Sequence, residues 1–139
     1  MQKKLSGYII LLSLFLFGFI LPSCNAQQEG KITALSAKEA SNLIGNHNGD
    51  SNFIILDIRT SGEYQSGHIK DSIMIDYYSK SFADEIGRLD KDKSYLIYCR
   101  SGNRSARSMA LFEKQQFRKI YHLSTGINGW YSAGLPVVK

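Results

Sequence analysis

At 139 residues and 43% hydrophobic content, the chain has room for one ordinary globular domain and little more. The formal net charge is +5, of which Lys3 and Lys4 lie in an N-terminal leader, leaving +3 on the remainder. That bias is weak and forms no basic run or stripe, so nucleic acid is not an expected partner.

Lys3 and Lys4 precede an apolar run from Tyr8 to Leu21, 14 residues long. A spanning helix needs roughly 20 residues, so the run reads as the apolar part of an export signal. It ends Leu21-Pro-Ser-Cys24, which resembles the bacterial lipobox. That resemblance implies cleavage before Cys24 and a diacylglycerol on its thiol. The competing readings are an uncleaved anchor and a plain secretory signal cut near Ala26. The expected organisation is a lipoprotein signal peptide over 1–23, a lipidated Cys24 with a short tether over 24–31, and a folded domain over 32–139. The domain is then expected at the cell envelope, lipid-anchored to a bacterial membrane and facing periplasm or exterior.

Lys31 to Leu35 reads as a first short strand, and Ser36-Ala-Lys-Glu39 as a capping box opening a helix over Ala40, Leu43 and Ile44. The Gly45–Asp50 stretch is a surface loop in which His47 is expected to be solvated. Phe53-Ile-Ile-Leu56 is a continuous apolar run, the mark of a strand buried on both faces of a parallel sheet. Asp57 and Arg59 end it on a common side as a structural ion pair, and Thr60-Ser-Gly-Glu63 is a second capping box. Ser72 to Ile75 is a third strand, and Ser81 is placed to cap a helix through Phe82, Ile86 and Leu89. Ser94 to Tyr98 is a fourth strand, and Lys119 to Leu123, with His122 as a packing residue, is a fifth. Gly126 to Tyr131 makes a last helix, stopped by Gly134 and Pro136, with Trp130 and Tyr131 covering a core edge. Strands alternating with helices predict an α/β fold with a mainly parallel sheet, whose ligands gather at the strands' carboxyl ends.

The chemistry gathers where the fourth strand runs into Cys99-Arg-Ser-Gly-Asn-Arg104 and then into a helix capped by Asn103 or Ser105. Strand, tight loop and helix start aim backbone N–H groups and a helix dipole at one point. The dipole and the guanidinium groups of Arg100 and Arg104 are expected to favour the Cys99 thiolate. Arg104 is expected to turn back toward the loop carbonyls, leaving Arg100 to meet an incoming anion. The chain has two cysteines; with Cys24 lipidated, Cys99 has no intramolecular disulfide partner. His47, His68 and His122 are scattered and no second cysteine offers ligand spacing, so no metal is expected, and no cofactor.

Four landmarks in order then carry a family resemblance: Leu56-Asp-Ile-Arg59 with Glu63-Tyr64, Gly67-His-Ile69, Cys99 to Ser105, and Gly126 to Trp130 with Gly134-Leu-Pro136. From about Ile32 onward the chain resembles a single-domain rhodanese. The resemblance implies a rhodanese-like α/β fold, a five-stranded mainly parallel sheet with helices on both faces, and a catalytic Cys99 that carries a persulfide. Arg100, Ser101, Gly102, Asn103, Arg104 and Ser105 become the donor-binding loop, with Asp57 and Arg59 as its support. His68 is read as hydrogen-bonded scaffold, since a stable thiolate needs no base. Where the family commonly continues Gly-His-Ile with Pro-Gly-Ala, this chain has Lys70-Asp-Ser72, which changes a turn.

Three functions compete. A sulfurtransferase would accept sulfur from thiosulfate or a persulfide and pass it to a thiol or cyanide, acting as a monomer. A cysteine phosphatase or arsenate reductase would use a similar anion loop, but those enzymes resemble one another in placing five residues between cysteine and arginine. Here four separate Cys99 from Arg104, a bowl suited to a sulfane sulfur. A non-catalytic rhodanese-like binding module ranks last, because Cys99 and the whole loop are present.

Overall fold

The structure is a computed structural model that describes residues 31–139. The export signal and lipidated Cys24 expected from the sequence lie outside the described residues.

Ten elements alternate: β1 (Lys31–Leu35), α1 (Ala37–Asn46), β2 (Phe53–Asp57), α2 (Ser61–Ser66), β3 (Ile73–Met74), α3 (Phe82–Gly87), β4 (Ser94–Tyr98), α4 (Asn103–Lys114), β5 (Lys119–Leu123) and α5 (Gly126–Ser132). The five strands form one sheet in the order β1-β5-β4-β2-β3, every pair parallel. The only antiparallel pairing among the described residues is the isolated bridge between His68 and Val138. The expected "mainly parallel" sheet is therefore wholly parallel in its strands.

Both predicted capping boxes form. Ser36 Oγ accepts from Glu39 N at 3.3 Å while Glu39 Oε2 accepts from Ser36 N at 2.8 Å. Thr60 and Glu63 do the same at 3.5 and 3.1 Å. Ser81 stands at the start of α3 but makes no capping bond; its hydroxyl goes to Glu85 instead. β3 is shorter than predicted, and the turn before it carries Asp71 in a left-handed conformation (φ 62°). Left-handed backbone is tolerated by aspartate better than by branched residues, so the altered Lys70-Asp-Ser72 turn closes without glycine.

Alternate strand residues feed two cores. On one face Ile55, Leu96, Tyr98 and Tyr121 pack with Ala37 and Ala40 of α1 and Ile127 and Trp130 of α5. On the other, Leu56, Tyr95, Ile97 and Ile120 pack with Phe82 and Ile86 of α3 and Phe112 of α4. Burial on both faces explains the unbroken apolar runs of β2 and β4.

The strand order fixes where a site can be. After β2 the chain moves outward to β3, and after β4 it moves the opposite way, to β5. The β2–β4 boundary is thus the switch point of the sheet, where diverging connections open a crevice at the carboxyl ends. Asp57 ends β2 and Cys99 follows β4, so both sit at that crevice.

Candidate active site

The loop after β4 wraps the Cys99 sulfur. Gly102 N donates to Cys99 Sγ at 3.1 Å and Ser105 Oγ donates to it at 3.4 Å. Cys99 is buried, 1% exposed, at the floor of the loop. Burial pushes its thiol up, but hydrogen bonds from the Ser105 hydroxyl and the amides of Ser105, Ser101 and Gly102 outweigh it, and the net shift is downward. The lowered pKa expected from the sequence is present. Its main cause is the hydrogen bonding of the loop rather than the guanidinium groups.

The helix cap differs from expectation. α4 begins at Asn103 behind Gly102, which takes a left-handed conformation (φ 91°) with no side-chain cap. Ser105 is fully buried in the first turn, and its hydroxyl lies within reach of Cys99 Sγ, Gly102 O and His122 Nε2. Gly102 is required sterically as well: a Cβ there would lie 1.9 Å from Ser124 O.

Arg104 does not turn back to the loop carbonyls. It forms a two-pronged ion pair with Glu63, Nη1 to Oε2 at 2.8 Å and Nη2 to Oε1 at 2.7 Å. Hydrogen bonding from Arg104 holds the Glu63 carboxyl at about 2, with burial opposing and Thr60 adding to the effect. Glu63 therefore caps α2 with one oxygen and braces the Cys99 loop with both.

Asp57 and Arg59 form the buried pair expected. Arg59 Nη2 meets Asp57 Oδ2 at 2.7 Å, and Arg59 Nε meets both carboxylate oxygens at 3.0 Å. Arg59 Nη2 also donates to Gly67 O at 2.8 Å, tying β2 to the Gly67-His-Ile69 segment. Burial opposes the Arg59 charge, and Asp57 outweighs it so that the guanidinium is held above its ordinary value. Tyr98 completes the support, its OH accepting from Ile69 N at 3.1 Å. His68 is scaffold as predicted: its ring stacks on Tyr64 at 3.7 Å and Nδ1 meets Tyr64 O at 3.0 Å.

Other placements differ. His47 is half-buried, bonded through Nδ1 to Leu43 O and packed on Phe53, not solvated. Trp130 covers the core as expected, whereas Tyr131 is 46% exposed and lines a cleft with Arg59, Glu63 and Arg100. His122, read as a packing residue, is bonded to the Ser105 hydroxyl at 2.9 Å and so belongs to the site.

Above the loop lies a cavity of about 470 Å³ lined by Glu63, Tyr78, Arg100, Ser101, Asn103, Arg104 and Arg107. Nothing local in the sequence marks Tyr78, an exposed tyrosine, or Arg107, a helix-surface arginine, as part of a site. Arg104 lies 5.5 Å from the Tyr78 ring centroid. Among the described residues only two ion pairs occur, Asp57–Arg59 and Glu63–Arg104, so Arg100 and Arg107 face the cavity without a carboxylate partner. No group of side chains suited to hold a metal occurs among the described residues, and no helix there is long and apolar enough to cross a membrane.

The site is thus a buried thiol of lowered pKa, set in a loop of inward N–H groups at the switch point of a parallel sheet. Residues 36–133 match the rhodanese-like domain family, and the chain belongs to that family. A sulfurtransferase of Allochromatium vinosum is 33% identical over 85 residues, covering 61% of this chain and 78% of its own length. Thiosulfate sulfurtransferase GlpE of Pseudomonas savastanoi pv. phaseolicola is 34% identical over 77 residues, covering 55% of this chain and 71% of its own. A tRNA uridine(34) hydroxylase of Buchnera aphidicola is 31% identical over 99 residues, but the match spans only 31% of that enzyme and 64% of this chain. A solved rhodanese-related protein from Thermoplasma volcanium superposes with a TM-score of 0.64 at 27% identity, covering 76% of this chain and 96% of that one.

Proposed function

We propose that this protein is a sulfurtransferase in which Cys99 accepts a sulfane sulfur from thiosulfate or a persulfide and passes it to a thiol or cyanide. The observation that carries this reading is the Cys99 thiol, lowered in pKa by its own loop and lying at the floor of that loop beneath an arginine-lined cavity. The thiolate attacks the outer sulfur of thiosulfate. A bond forms from Sγ to that sulfur, the sulfur–sulfur bond of the donor breaks, and its electron pair leaves with sulfite. The Cys99 persulfide then carries a terminal anionic sulfur, stabilised by the N–H groups of the loop from Arg100 to Ser105. Cyanide or a thiolate attacks that sulfur, and the bonding pair returns to Sγ. Two half-reactions through one covalent intermediate give double-displacement kinetics.

Arg104 is committed to Glu63, so Arg100 is the loop cation that meets the donor, with Arg107 beyond it. A charge-assisted contact of this kind contributes about 1.5–3 kcal/mol. Arg100→Ala is expected to raise the KM for thiosulfate more than that for an uncharged persulfide donor.

Intact mass tests the reading. After incubation with thiosulfate the full chain gains one sulfur atom, and a thiol reductant removes it. Cys99→Ser gains nothing, because a serine hydroxyl stays protonated and is a poor sulfur nucleophile. A wild-type protein that hydrolyses an aryl phosphate and never gains sulfur would show the phosphatase reading to be right instead.

The leader adds a location. Cys24 carries diacylglycerol and holds the domain at the cell envelope, a reading supported by the Leu21-Pro-Ser-Cys24 stretch after the apolar run. Cys24→Ala is expected to move the protein out of the membrane fraction; unchanged fractionation overturns the anchor.

A further inference from the structure

We propose that His122, the fourth residue of β5, is a positioning residue that sets the direction of the Ser105 hydroxyl and so controls the Cys99 thiolate. A serine hydroxyl has one proton to give. Ser105 Oγ has three neighbours for it: Cys99 Sγ at 3.4 Å, Gly102 O at 3.1 Å and His122 Nε2 at 2.9 Å. Which one receives the proton decides whether the sulfur has a hydroxyl donor at all.

The surroundings of His122 Nε2 decide it. That nitrogen faces two oxygens, Ser105 Oγ at 2.9 Å and Gly102 O at 3.3 Å. The Gly102 carbonyl can only accept, so an Nε2 lone pair would oppose an oxygen lone pair. The tautomer with the proton on Nε2 donates toward both oxygens. Gly102 O already accepts from Ala106 N at 2.9 Å, and the imidazole N–H takes up its remaining acceptor capacity. With His122 acting as donor and the carbonyl filled, the Ser105 proton is left to the sulfur. His122 is buried, 9% exposed, and burial lowers its pKa, which keeps the ring neutral. The geometry alone supplies the direction of the relay: imidazole N–H to hydroxyl oxygen, hydroxyl proton to thiolate. The charged groups near the sulfur are Arg104, held by Glu63, and Arg100 and Arg107 at the cavity; the hydrogen bonds of His122 Nε2 go to Ser105 and Gly102, not to these.

The inference rests on Cys99 being the reactive thiol, but its test needs no sulfur donor. The rate of Cys99 alkylation by iodoacetamide is followed against pH in the full chain, so failure of sulfur transfer and failure of the relay are told apart. In His122→Leu the hydroxyl turns to Gly102 O, and the thiol–thiolate equilibrium shifts roughly tenfold toward the thiol, moving the alkylation profile up by about one pH unit, the equivalent of one hydrogen bond to a charged group. His122→Gln, whose side-chain N–H reaches the same depth, keeps the equilibrium within about twofold of wild type. Ser105→Ala shifts as far as His122→Leu, and the double variant shifts no further, because both changes remove the same contact. An unchanged profile in His122→Leu, a failure of His122→Gln to restore it, or additive losses in the double variant would overturn the proposal. The wild-type protein gives a check independent of any variant: the ring nitrogen shifts of His122 must report the proton on Nε2, and a proton on Nδ1 alone refutes the relay.

Discussion

Gly102→Ala is the perturbation the loop should tolerate least. The native φ of 91° lies in the region that costs a non-glycine residue about 1–2 kcal/mol. The added Cβ would meet Ser124 O at 1.9 Å and Ser124 C at 2.8 Å, both backbone atoms of the β5–α5 turn that cannot rotate away. Overpacking of that kind costs about 1–3 kcal/mol, so the whole is roughly 2–5 kcal/mol. For a domain near a hundred residues, that lowers the melting temperature by at least about 8 °C. The effect on chemistry is separate, because the displaced residue is the one whose N–H reaches Cys99 Sγ at 3.1 Å. Losing a hydrogen bond to an anionic sulfur costs a further 1.5–3 kcal/mol or so, roughly ten- to a hundredfold in sulfur loading. Thermal unfolding by circular dichroism and timed mass spectrometry after thiosulfate read the two effects. Gly62→Ala is the control: it lies in α2 with no heavy atom within 4 Å of a new Cβ, and should stabilise by about 0.5–1 kcal/mol. If Gly102→Ala melts with the wild type and loads sulfur at the same rate, the turn is not made at Gly102.

Three other outcomes are expected. Glu63 sits below its unfolded value of 4.5, at about 2, so its contribution is present above pH 4.5 and lost as pH falls toward 2; discounted for partial exposure, it is about 1–2 kcal/mol. Glu63→Gln should flatten that acid limb in urea unfolding at pH 7 and pH 3, and an unchanged limb would place the acid sensitivity elsewhere. Arg59→Met leaves the buried Asp57 carboxylate without its partner and should cost about 3–5 kcal/mol by denaturant unfolding, with much of it recovered in Asp57→Leu/Arg59→Met; a loss below 1 kcal/mol or so would remove the pair as a brace. Asp71→Gly relieves a left-handed aspartate at φ 62° and should raise stability by up to about 1 kcal/mol, whereas a loss would mean that the Asp71 side chain holds the turn.

What the sequence shows of this protein divides by sequence separation. Ser36 and Glu39, or Thr60 and Glu63, are three residues apart, and a helix start brings such residues together through its own backbone geometry. Asp57 and Arg59 share a strand end for the same local reason. The unbroken apolar runs of β2 and β4 announce burial on both faces, which in turn implies parallel strands between helices. The misread features are those made by distant neighbours. Glu63 and Arg104 are 41 residues apart, and Ser105 and His122 are 17 apart. Within its own segment Glu63 is fully explained by a capping box, and His122 alternates with Ile120 as a core residue would. Ser105 looks like a helix cap because serine favours caps; only the placement of β5 beside β4 shows that its hydroxyl is turned inward to a histidine and a sulfur.

That placement also explains how a loop of six residues can aim its N–H groups inward. Peptide N–H and C=O point in opposite directions, so an inward ring of donors forces carbonyls outward, away from the cavity and into the protein, where each needs a partner. β5 and α5 supply them. Ile127 N donates to Cys99 O at 2.8 Å and Asn128 N to Arg100 O at 3.0 Å, while Ala106 N and His122 hold Gly102 O. The approach this requires is close enough that a Cβ on Gly126 would fall 2.5 Å from Arg100 O. The two glycines, Gly102 and Gly126, thus let loop and helix start interlock back to back. The first free amides of α5 are spent on the outer side of the Cys99 loop, leaving the inner side for a ligand. Lengthening the loop by one residue would shift Gly102 O away from His122 and Ala106, and the carbonyls would lose the partners that keep the donors turned toward Cys99. The four-residue spacing from Cys99 to Arg104 is therefore fixed by what lies behind the loop as much as by the size of the anion in front of it.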